Sequence, residues 1–306
     1  MPSILLDKRF VRTIRELNGE ASLQWLENLE QLVAEIEQRW SLKVLPAFEP
    51  LSYNYVATAI QADGSEAVLK IGFPNPELTT EIEALKFFSG QGSVFLLAVD
   101  EARGVILLER LRPGAPLSRL DDDEKATSIA AGVMKRLWRP APKDHPFPTI
   151  EKWGRGFVRL HAHFGGGCGP FPNDLVETAE ALYNELAATS GEAMLLHGDL
   201  HHENILSAGR HPWLAIDPKG VVGESVYEVG ALLRNPIPGL LAGPNPRGVL
   251  TRRVDLLAEE LGFDKERIIG WGFAQAVLSA WWSFEDQGHG WEWAIQCARL
   301  LGELIY

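Results

Sequence analysis

Hydrophobic residues recur at three- and four-residue spacings between Ser22 and Trp40, and glutamates occupy many of the positions between them. A period near 3.6 residues is typical of an amphipathic helix with one face toward a core. Ser22 stands at the start of this pattern, where its hydroxyl can cap the first turn. The sequence therefore predicts a helix over residues 22–40, and Pro46 and Pro50 break the pattern after it.

Four apolar runs further along the chain predict the strands of a small antiparallel sheet. They cover residues 53–62, 66–71, 94–99 and 104–108. Asp63-Gly64, between the first two runs, is a strong hairpin turn signal. Lys70 lies inside the second run, and a lysine among apolar neighbours needs an anionic partner. Residues 77–88 predict a short helix in which Glu81, in preference to Glu83, projects toward Lys70.

Beyond a charged segment that stops at Pro113-Gly114, the pattern becomes mainly helical. The clearest predicted helices cover residues 121–137, 177–186, 252–261 and 268–305. Residues 140–172 are rich in proline and glycine and are expected to be irregular. We therefore predict an α+β protein, with a smaller sheet-rich lobe of residues 1–110 and a larger helical lobe of residues 111–306. A length of 306 residues exceeds the roughly 250 at which single cores stop growing, which also favours two lobes.

The chain carries 29 basic and 41 acidic residues, a net charge of −12. An acidic surface argues against nucleic acid or an anionic membrane as the main partner and favours a neutral or cationic small molecule. The two cysteines, Cys168 and Cys297, lie far apart, and neither belongs to a C-x-x-C pattern. Neither a zinc site nor a disulfide framework is indicated.

The start of the chain becomes charged at Asp7-Lys8-Arg9, before a long apolar region forms. No apolar run approaches the roughly 18 residues of a membrane span. We therefore expect a soluble protein that is not exported and resides in the cytoplasm.

The most polar motif of the chain lies between two apolar pairs, at residues 196–206. Its acids, amides and imidazoles must form a tight turn between elements that enter a core. Phosphoryl transfer from a nucleotide needs a carboxylate for the acceptor hydroxyl, and an amide oxygen with a second carboxylate for magnesium. Asp199 and Asn204 have the D-x-x-x-x-N spacing of kinase catalytic loops, and Asp217 follows an apolar strand-like run. We predict a phosphotransfer site from these residues in preference to simple turn capping.

The histidines around this motif have alternative interpretations. His197 is expected to orient the loop through hydrogen bonds, since Asp199 already fills the role of base, and His202 is assigned the same role. His201 and His202 could suggest a metal site with Asp199. Adjacent histidines in a loop rarely converge on one ion, and oxygen ligands suit magnesium better, so we reject zinc.

A lysine strand, a glutamate helix, a D-x-x-x-x-N loop and a strand-borne aspartate, in this order, form a specific combination. The sequence resembles the aminoglycoside phosphotransferase family, a branch of the protein-kinase-like fold. The motifs at residues 197–204, 216–224 and 230–236 are similar to the subgroup of streptomycin 6-kinases and hydroxyurea phosphotransferases. Further similarity lies at residues 100–111 and 274–281, so the resemblance covers the chain from about Leu51 onward.

This resemblance implies a two-lobed kinase-like enzyme that binds ATP and Mg²⁺ in the cleft between its lobes. It implies Asp199 as the catalytic base and Asn204 and Asp217 as magnesium ligands. The acceptor would be a small hydroxylated molecule, with streptomycin-like aminocyclitols and hydroxyurea as the candidates. A metabolic kinase acting on a sugar, an amine alcohol or a glycated amine stays open, as does a non-catalytic nucleotide-binding protein of the same fold.

For the nucleotide, the resemblance implies Lys70 on the α- and β-phosphates with Glu81 pairing it, and adenine against the backbone near Glu109 and Leu111. One departure concerns the phosphate loop, where many such kinases have glycines. This chain has Leu-Ser-Tyr-Asn-Tyr at residues 51–55, with no glycine. Backbone amides could still cap the phosphates.

Five further side chains could assist binding. Ser52 and Asn54 could help to cap the nucleotide phosphates. Lys219, just after Asp217, could orient a substrate or pair with Glu224. Glu285 and Asp286 follow a tryptophan pair, where they could bind a guanidinium or ammonium group or equally form a solvated helix end.

Overall fold

The computed structural model describes residues 6–305. The chain forms two compact units, and the boundary falls between Arg112 and Pro113. Residues 1–5, on which the expectation of no export signal partly rests, lie outside the described residues. Within residues 6–305 no helix has the length and hydropathy needed to cross a bilayer.

The first unit is built on a five-stranded sheet with the order β1-β2-β3-β5-β4. Its elements in chain order are α1 (Lys8–Asn18), α2 (Ala21–Trp40), β1 (Leu42–Ala47), β2 (Tyr55–Gln61), β3 (Glu66–Ile71), α3 (Pro76–Phe88), β4 (Leu96–Asp100) and β5 (Val105–Glu109). Every neighbouring pair of strands is antiparallel. The four predicted strands, and the predicted helix between the second and third of them, are confirmed.

The two faces of this sheet have different partners. Successive side chains of a strand alternate between faces, so Ala67, Leu69 and Ile71 of β3 enter one buried core together with apolar residues of α1 and α2. Lys70 therefore faces the other side, where Glu81 of α3 reaches it. The alternation of side chains along β3 thus places its lysine opposite the main core.

Three details of this unit differ from the sequence prediction. Ser22 lies inside α2, fully buried, and its hydroxyl donates to the carbonyl of Gly19 at 2.6 Å, so the prediction of a serine cap was wrong. Helix α1 and strand β1 were not anticipated. Pro46 obscured β1, but this strand lies at the sheet edge and its register shifts between Val44 and Ala47, where a proline without an N–H is tolerated.

The second unit is mainly helical. Its elements in chain order are α4 (Asp123–Leu137), β6 (Arg139–Pro140), α5 (Ile150–His163), α6 (Asn173–Ala188), β7 (Met194–Leu196), β8 (Ile205–Ser207), β9 (Trp213–Ala215), β10 (Val221–Gly223), α7 (Val229–Leu233), α8 (Gly239–Ala242), α9 (Pro246–Leu261), α10 (Lys265–Gln287) and α11 (Glu292–Ile305). The helical majority here and the antiparallel sheet of the first unit confirm the α+β class.

Two helical segments correct the sequence prediction. Helix α5 lies inside residues 140–172, which were predicted to be irregular; its N-cap is Thr149, whose hydroxyl accepts from the N–H of Lys152. Gly154 and Gly156 weaken the local helical signal, yet Gly156 lets α5 approach Leu278, since a Cβ there would lie 2.4 Å from that side chain. The single helix predicted over 268–305 is two helices, because α10 ends at Gly288 in the left-handed conformation.

A three-stranded antiparallel sheet, with the order β10-β7-β6, and a two-stranded ribbon, β8-β9, carry the polar motif. Strand β7 pairs with β10 through Leu196 and Val221, and β8 pairs with β9 through Ile205 and Ala215. Residues 197–204 connect β7 to β8. The motif is thus a loop that is fixed at both ends by strand pairing.

Candidate functional site

His197 anchors the start of the loop through its buried ring. Its Nε2 lies 2.8 Å from the carbonyl oxygen of Ile216, and the N–H of Asp199 donates to its Nδ1 at 3.3 Å. Burial lowers the pKa of His197 to about 4, so the ring is neutral at physiological pH. A neutral ring with the proton on Nε2 satisfies both contacts. These are the bonds that a loop-orienting histidine would make.

The backbone of His197 is held from two further directions. Its carbonyl accepts from the N–H groups of Lys219 at 2.8 Å and Gly220 at 3.1 Å. Its own N–H, and that of Gly198, donate to the carboxylate of Glu228 at 2.7 and 2.9 Å. Glu228 was not anticipated from the sequence. It ends a short 3-10 helix, Ser225–Glu228, which lies about thirty residues along the chain from the loop.

Asp199 is the carboxylate that the loop presents. Its side chain is 28% exposed, so it is open on one side to an incoming group. Its Oδ1 lies 3.5 Å from Nη2 of Arg234, and its Oδ2 lies 3.7 Å from Nε2 of His201. The sequence prediction placed Asp199 here but did not include Arg234.

Asn204 and Asp217 lie side by side at the open end of the β8–β9 ribbon. The N–H of Ile216 donates to the carbonyl of Asn204 at 2.9 Å, which fixes the two chain segments next to each other. The Nδ2 of Asn204 donates to the carbonyl of Asp199 at 2.9 Å, so its Oδ1 is the atom left to face a ligand. Asp217 has a φ of 57°, a left-handed conformation that is uncommon outside glycine and concentrated at functional sites.

This pair of oxygen donors suits magnesium. Magnesium is commonly bound by one or two carboxylate or amide oxygens, while water and substrate phosphates fill its other positions. Within residues 6–305 no three histidine, cysteine or carboxylate side chains converge as a metal site. Asn204 and Asp217 could therefore hold a magnesium ion that arrives with a nucleotide.

Of the next two histidines of the loop, His202 is buried and His201 is partly buried. The Nε2 of His202 lies 3.5 Å from Nη2 of Arg253, and burial together with this arginine lowers the pKa of His202 to about 3. Burial likewise lowers the pKa of His201, whose Nδ1 accepts from the N–H of Glu203 at 3.2 Å. Both rings are thus placed to shape the loop.

In the first unit, Lys70 and Glu81 form the ion pair that the sequence predicted. The Nζ of Lys70 lies 2.6 Å from Oε1 of Glu81, and both side chains are about nine-tenths buried. Glu83, the alternative partner, instead pairs with Lys86 at 2.6 Å on the exposed side of α3. A buried lysine with a fixed carboxylate is a preorganised cation suited to a phosphate.

The predicted nucleotide-binding positions of the first unit lie at the ends of strands. Glu109 ends β5 in register with Ala67, and Leu111 follows after the chain has left the sheet. Asn54 lies in the connection between β1 and β2, and its side chain packs against Gly72. A Cβ on Gly72 would lie 2.5 Å from the Oδ1 of Asn54. Ser52, in the same connection, is exposed.

The predicted acceptor residues lie on or near the end of α10. Both carboxylate oxygens of Glu285 accept from Arg159, at 2.8 and 3.0 Å, so Glu285 already has a cationic partner. Partial desolvation and the adjacent Glu285 raise the pKa of Asp286, while Lys219 and Arg159 act in the opposite direction. Lys219 is therefore close enough to Asp286 to influence its charge. Glu224, the other partner considered for Lys219, accepts from Arg267 at 2.9 Å.

Trp153, which the sequence prediction missed, borders the loop and packs against Trp282. A Cβ on Gly198 would lie 2.8 Å from the ring of Trp153, so this glycine, at a φ of 85°, lets the indole approach the backbone. Trp153 packs edge-on against Trp282, with ring centroids 5.5 Å apart. Trp153 lies on α5, inside the region predicted to be irregular, and nothing local to it marked it as part of a site.

The sequence is similar to those of known kinases and phosphotransferases. A family model described as aminoglycoside/hydroxyurea antibiotic resistance kinase matches residues 46–288. The chain is 33% identical over 275 residues to a streptomycin 6-kinase from Streptomyces glaucescens, which covers 88% of this chain and 87% of that protein. It is 35% identical over 280 residues to a hydroxyurea phosphotransferase from Kitasatospora aureofaciens, covering 88% of this chain and 77% of that protein.

The fold has solved counterparts. The crystal structure of the choline kinase LicA from Streptococcus pneumoniae superposes with a TM-score of 0.62 over 90% of this chain and 99% of that one, at 15% identity. The predicted protein-kinase-like fold is confirmed by this likeness, and the predicted family by the family model and the two relatives. On the strength of the matched model and these identities, the chain belongs to the aminoglycoside/hydroxyurea antibiotic resistance kinase family.

Proposed function

We propose that this protein transfers the γ-phosphate of ATP to a hydroxyl of a streptomycin-like aminocyclitol. The observation that carries the proposal is the arrangement of the loop: a partly exposed Asp199 hydrogen-bonded through its backbone to Asn204, which lies beside Asp217 on the ribbon. Phosphoryl transfer requires a base for the acceptor hydroxyl and two oxygen ligands for magnesium. We infer the class of the acceptor from the similarity of the sequence to streptomycin 6-kinases.

Each residue has one task in this proposal. Asp199 accepts a hydrogen bond from the acceptor hydroxyl and orients it for attack in line with the leaving oxygen of ADP. As the new O–P bond forms and the bond to ADP breaks, the hydroxyl proton passes to the Asp199 carboxylate. Asn204 and Asp217 would hold magnesium, which would neutralise charge on the phosphates. Lys70, fixed by Glu81, binds the nonreacting phosphates as a point charge.

For the acceptor, charge and shape favour a cation. The chain carries a net charge of −12, and Asp286 lies close enough to Lys219 for the lysine to lower its pKa. The half-buried indoles of Trp153 and Trp282 present aromatic surface next to the loop, and aromatic faces attract cations. We assign Asp286 to the binding of a cationic group of the acceptor. We assign Glu285, which pairs with Arg159, a structural role at the same end of α10.

Hydroxyurea is the second candidate acceptor, since the hydroxyurea phosphotransferase relative is 35% identical. Hydroxyurea is small and uncharged, so it would use Asp199 without the cationic subsite. The two candidates therefore differ in whether Asp286 matters.

An acceptor panel tests the proposal. Purified protein with ATP and magnesium would be assayed for ADP release with streptomycin, hydroxyurea, choline and a fructosamine, and each product would be examined by mass spectrometry for an added phosphoryl group. The proposal predicts acceptor-dependent ADP release and a phosphorylated streptomycin. Turnover of choline or the fructosamine, with none of the two antibiotics, would overturn it in favour of a metabolic kinase.

A further inference from the structure

Arg234 is a buried arginine with unusually few partners. It caps the C-terminal end of α7 and is 8% exposed. Among the described residues its guanidinium makes one hydrogen bond, from Nη2 to Oδ1 of Asp199 at 3.5 Å, and Nη1 is buried without a partner. Arginine offers five N–H donors, and burying its charge with so little compensation is costly. Stability alone is a poor reason for an arginine at this position.

Asp199 is the anion that Arg234 faces. Within residues 6–305 it is the only carboxylate within 4 Å of the guanidinium nitrogens. Two other titratable side chains near this arginine, Tyr227 and Cys297, are neutral at physiological pH. Burial raises the pKa of Cys297 to about 12 and also raises that of Tyr227. The positive charge of Arg234 thus acts mainly on the loop carboxylate.

A second buried arginine fixes the backbone on both sides of Arg234. The Nη1 of Arg253, on α9, donates to the carbonyls of Leu232 at 3.0 Å and Asn235 at 2.5 Å. Its other nitrogens bind the carboxylate of Asp123 on α4. The end of α7 is therefore tied to two longer helices, and Arg234 approaches Asp199 from a rigid support.

We propose that Arg234 is a positioning residue, which holds the Asp199 carboxylate in one orientation from its buried side and leaves its exposed side to the acceptor hydroxyl. This rests on the proposed function, because Arg234 matters to catalysis only if Asp199 handles that hydroxyl. Arg253 supports it by fixing the end of α7. The buried guanidinium is preorganised, so the carboxylate needs no reorientation when the acceptor arrives.

Kinetics of Arg234→Met and Arg234→Lys test this role. A misplaced reacting group costs roughly a hundredfold in rate, so Arg234→Met should lower kcat by about that factor, with little change in KM for ATP or acceptor. Arg234→Lys, which keeps the charge, should recover part of kcat. A double-mutant cycle with Asp199→Asn is decisive: adding Arg234→Met to Asp199→Asn should lower kcat no further, because Arg234 acts through Asp199.

Arg267→Met is the matched control. Arg267 is a partly buried arginine of α10, and among residues 6–305 its side chain hydrogen-bonds to Glu224, Thr189 and Leu186, which lie outside the loop. This variant should lower Tm while kcat stays at the wild-type value. If Arg234→Met behaves in the same way, or if the losses of Asp199→Asn and Arg234→Met multiply in the double variant, the positioning role is wrong.

Denaturant unfolding separates this proposal from the proposed function. The unfolding free energies of the wild type, both single variants and the double variant give the coupling between Asp199 and Arg234 without any catalysis. The proposal predicts a coupling that favours the native pair, and a coupling of zero would overturn it. If no acceptor is phosphorylated by the wild type, the proposed function fails on its own while this coupling is still measured. Should Arg234→Met not fold, Arg234→Lys completes both cycles.

Discussion

The backbone N–H of His197 donates to the buried carboxylate of Glu228 at 2.7 Å. Glu228 also accepts from the next N–H, at Gly198, so one side chain satisfies two successive donors at the entrance to the loop. Such donors could not reach water, because both His197 and Glu228 are almost fully buried. The position of Asp199 therefore depends on a carboxylate that holds the two residues before it.

Glu228 should make stability depend on pH in a particular direction. Burial raises its pKa from 4.5 to about 7, so the folded state binds this proton more tightly than the unfolded state does. The stabilisation is fully present below pH 4.5 and is lost as pH rises to 7, by about 3 kcal/mol. Denaturant unfolding of wild type and Glu228→Gln measures this, because the difference between the two curves cancels the other titrating groups. A difference that is constant from pH 4.5 to 7 would contradict the assignment.

Variants of Lys70 and Glu81 should separate the contribution of this ion pair to stability from the contribution of Lys70 to ATP binding. Lys70→Met leaves Glu81 buried without its cation, and breaking a buried pair costs about 3–5 kcal/mol of unfolding free energy. The double variant Lys70→Met/Glu81→Leu removes both charges and should regain most of that stability. Neither variant should bind ATP with wild-type affinity.

Thermal unfolding and calorimetric titration with ATP check the two parts separately. The exposed pair Lys86 and Glu83 on the same helix provides the control, since Lys86→Met should change Tm little. A double variant with wild-type affinity for ATP would show that Lys70 has no role in nucleotide binding.

Asp217 should govern the magnesium requirement. Asp217→Asn is the suitable variant, because asparagine tolerates the left-handed backbone of this position while it loses the charge. Its affinity for ADP should match the wild type without magnesium and should gain much less when magnesium is added. Titration of ADP binding against magnesium concentration is the measurement. Equal magnesium dependence in both proteins would exclude Asp217 as a ligand.

Asp286 should distinguish cationic from neutral acceptors. Asp286→Asn removes the negative charge and should raise KM for streptomycin by roughly tenfold, the value of an interaction of about 1.4 kcal/mol. KM for hydroxyurea and for ATP should stay unchanged, because neither uses this carboxylate. The variant Glu192→Gln serves as the control for a lost surface charge, because Glu192 is exposed and lies just before β7. A streptomycin KM that does not respond would move the acceptor site elsewhere.

Much of the site was predictable because its signals are local. The apolar run of residues 66–71 gave the strand and the need of Lys70 for a partner, and the helical spacing gave Glu81 over Glu83. The apolar pairs around Asp199 and Asn204 gave a turn between two elements that enter a core. Each of these inferences needed only neighbours within about a dozen positions.

The remainder depends on distant contacts that a local pattern does not carry. Glu228 and Arg234 reach the loop from more than thirty residues away. Arg234 lies in the motif at residues 230–236, but that motif gave it no role at Asp199, and Glu228 lies outside the motifs. Trp153 was hidden because α5 contains glycines that weaken a helical pattern while they allow close packing. A serine at the second position of a helix and a serine just before the helix look the same in a sequence pattern. Ser22 was therefore wrongly predicted to be a cap.

The most direct test of the account is phosphorus NMR of a reaction mixture that contains ATP, magnesium, streptomycin and either the wild type or Asp199→Asn. The account predicts that the wild type converts ATP to ADP and a new phosphomonoester on streptomycin in equal amounts. It predicts that Asp199→Asn forms this ester at least ~10²-fold more slowly while it binds ATP normally. Release of inorganic phosphate without the ester, or an Asp199→Asn variant as fast as the wild type, would contradict it.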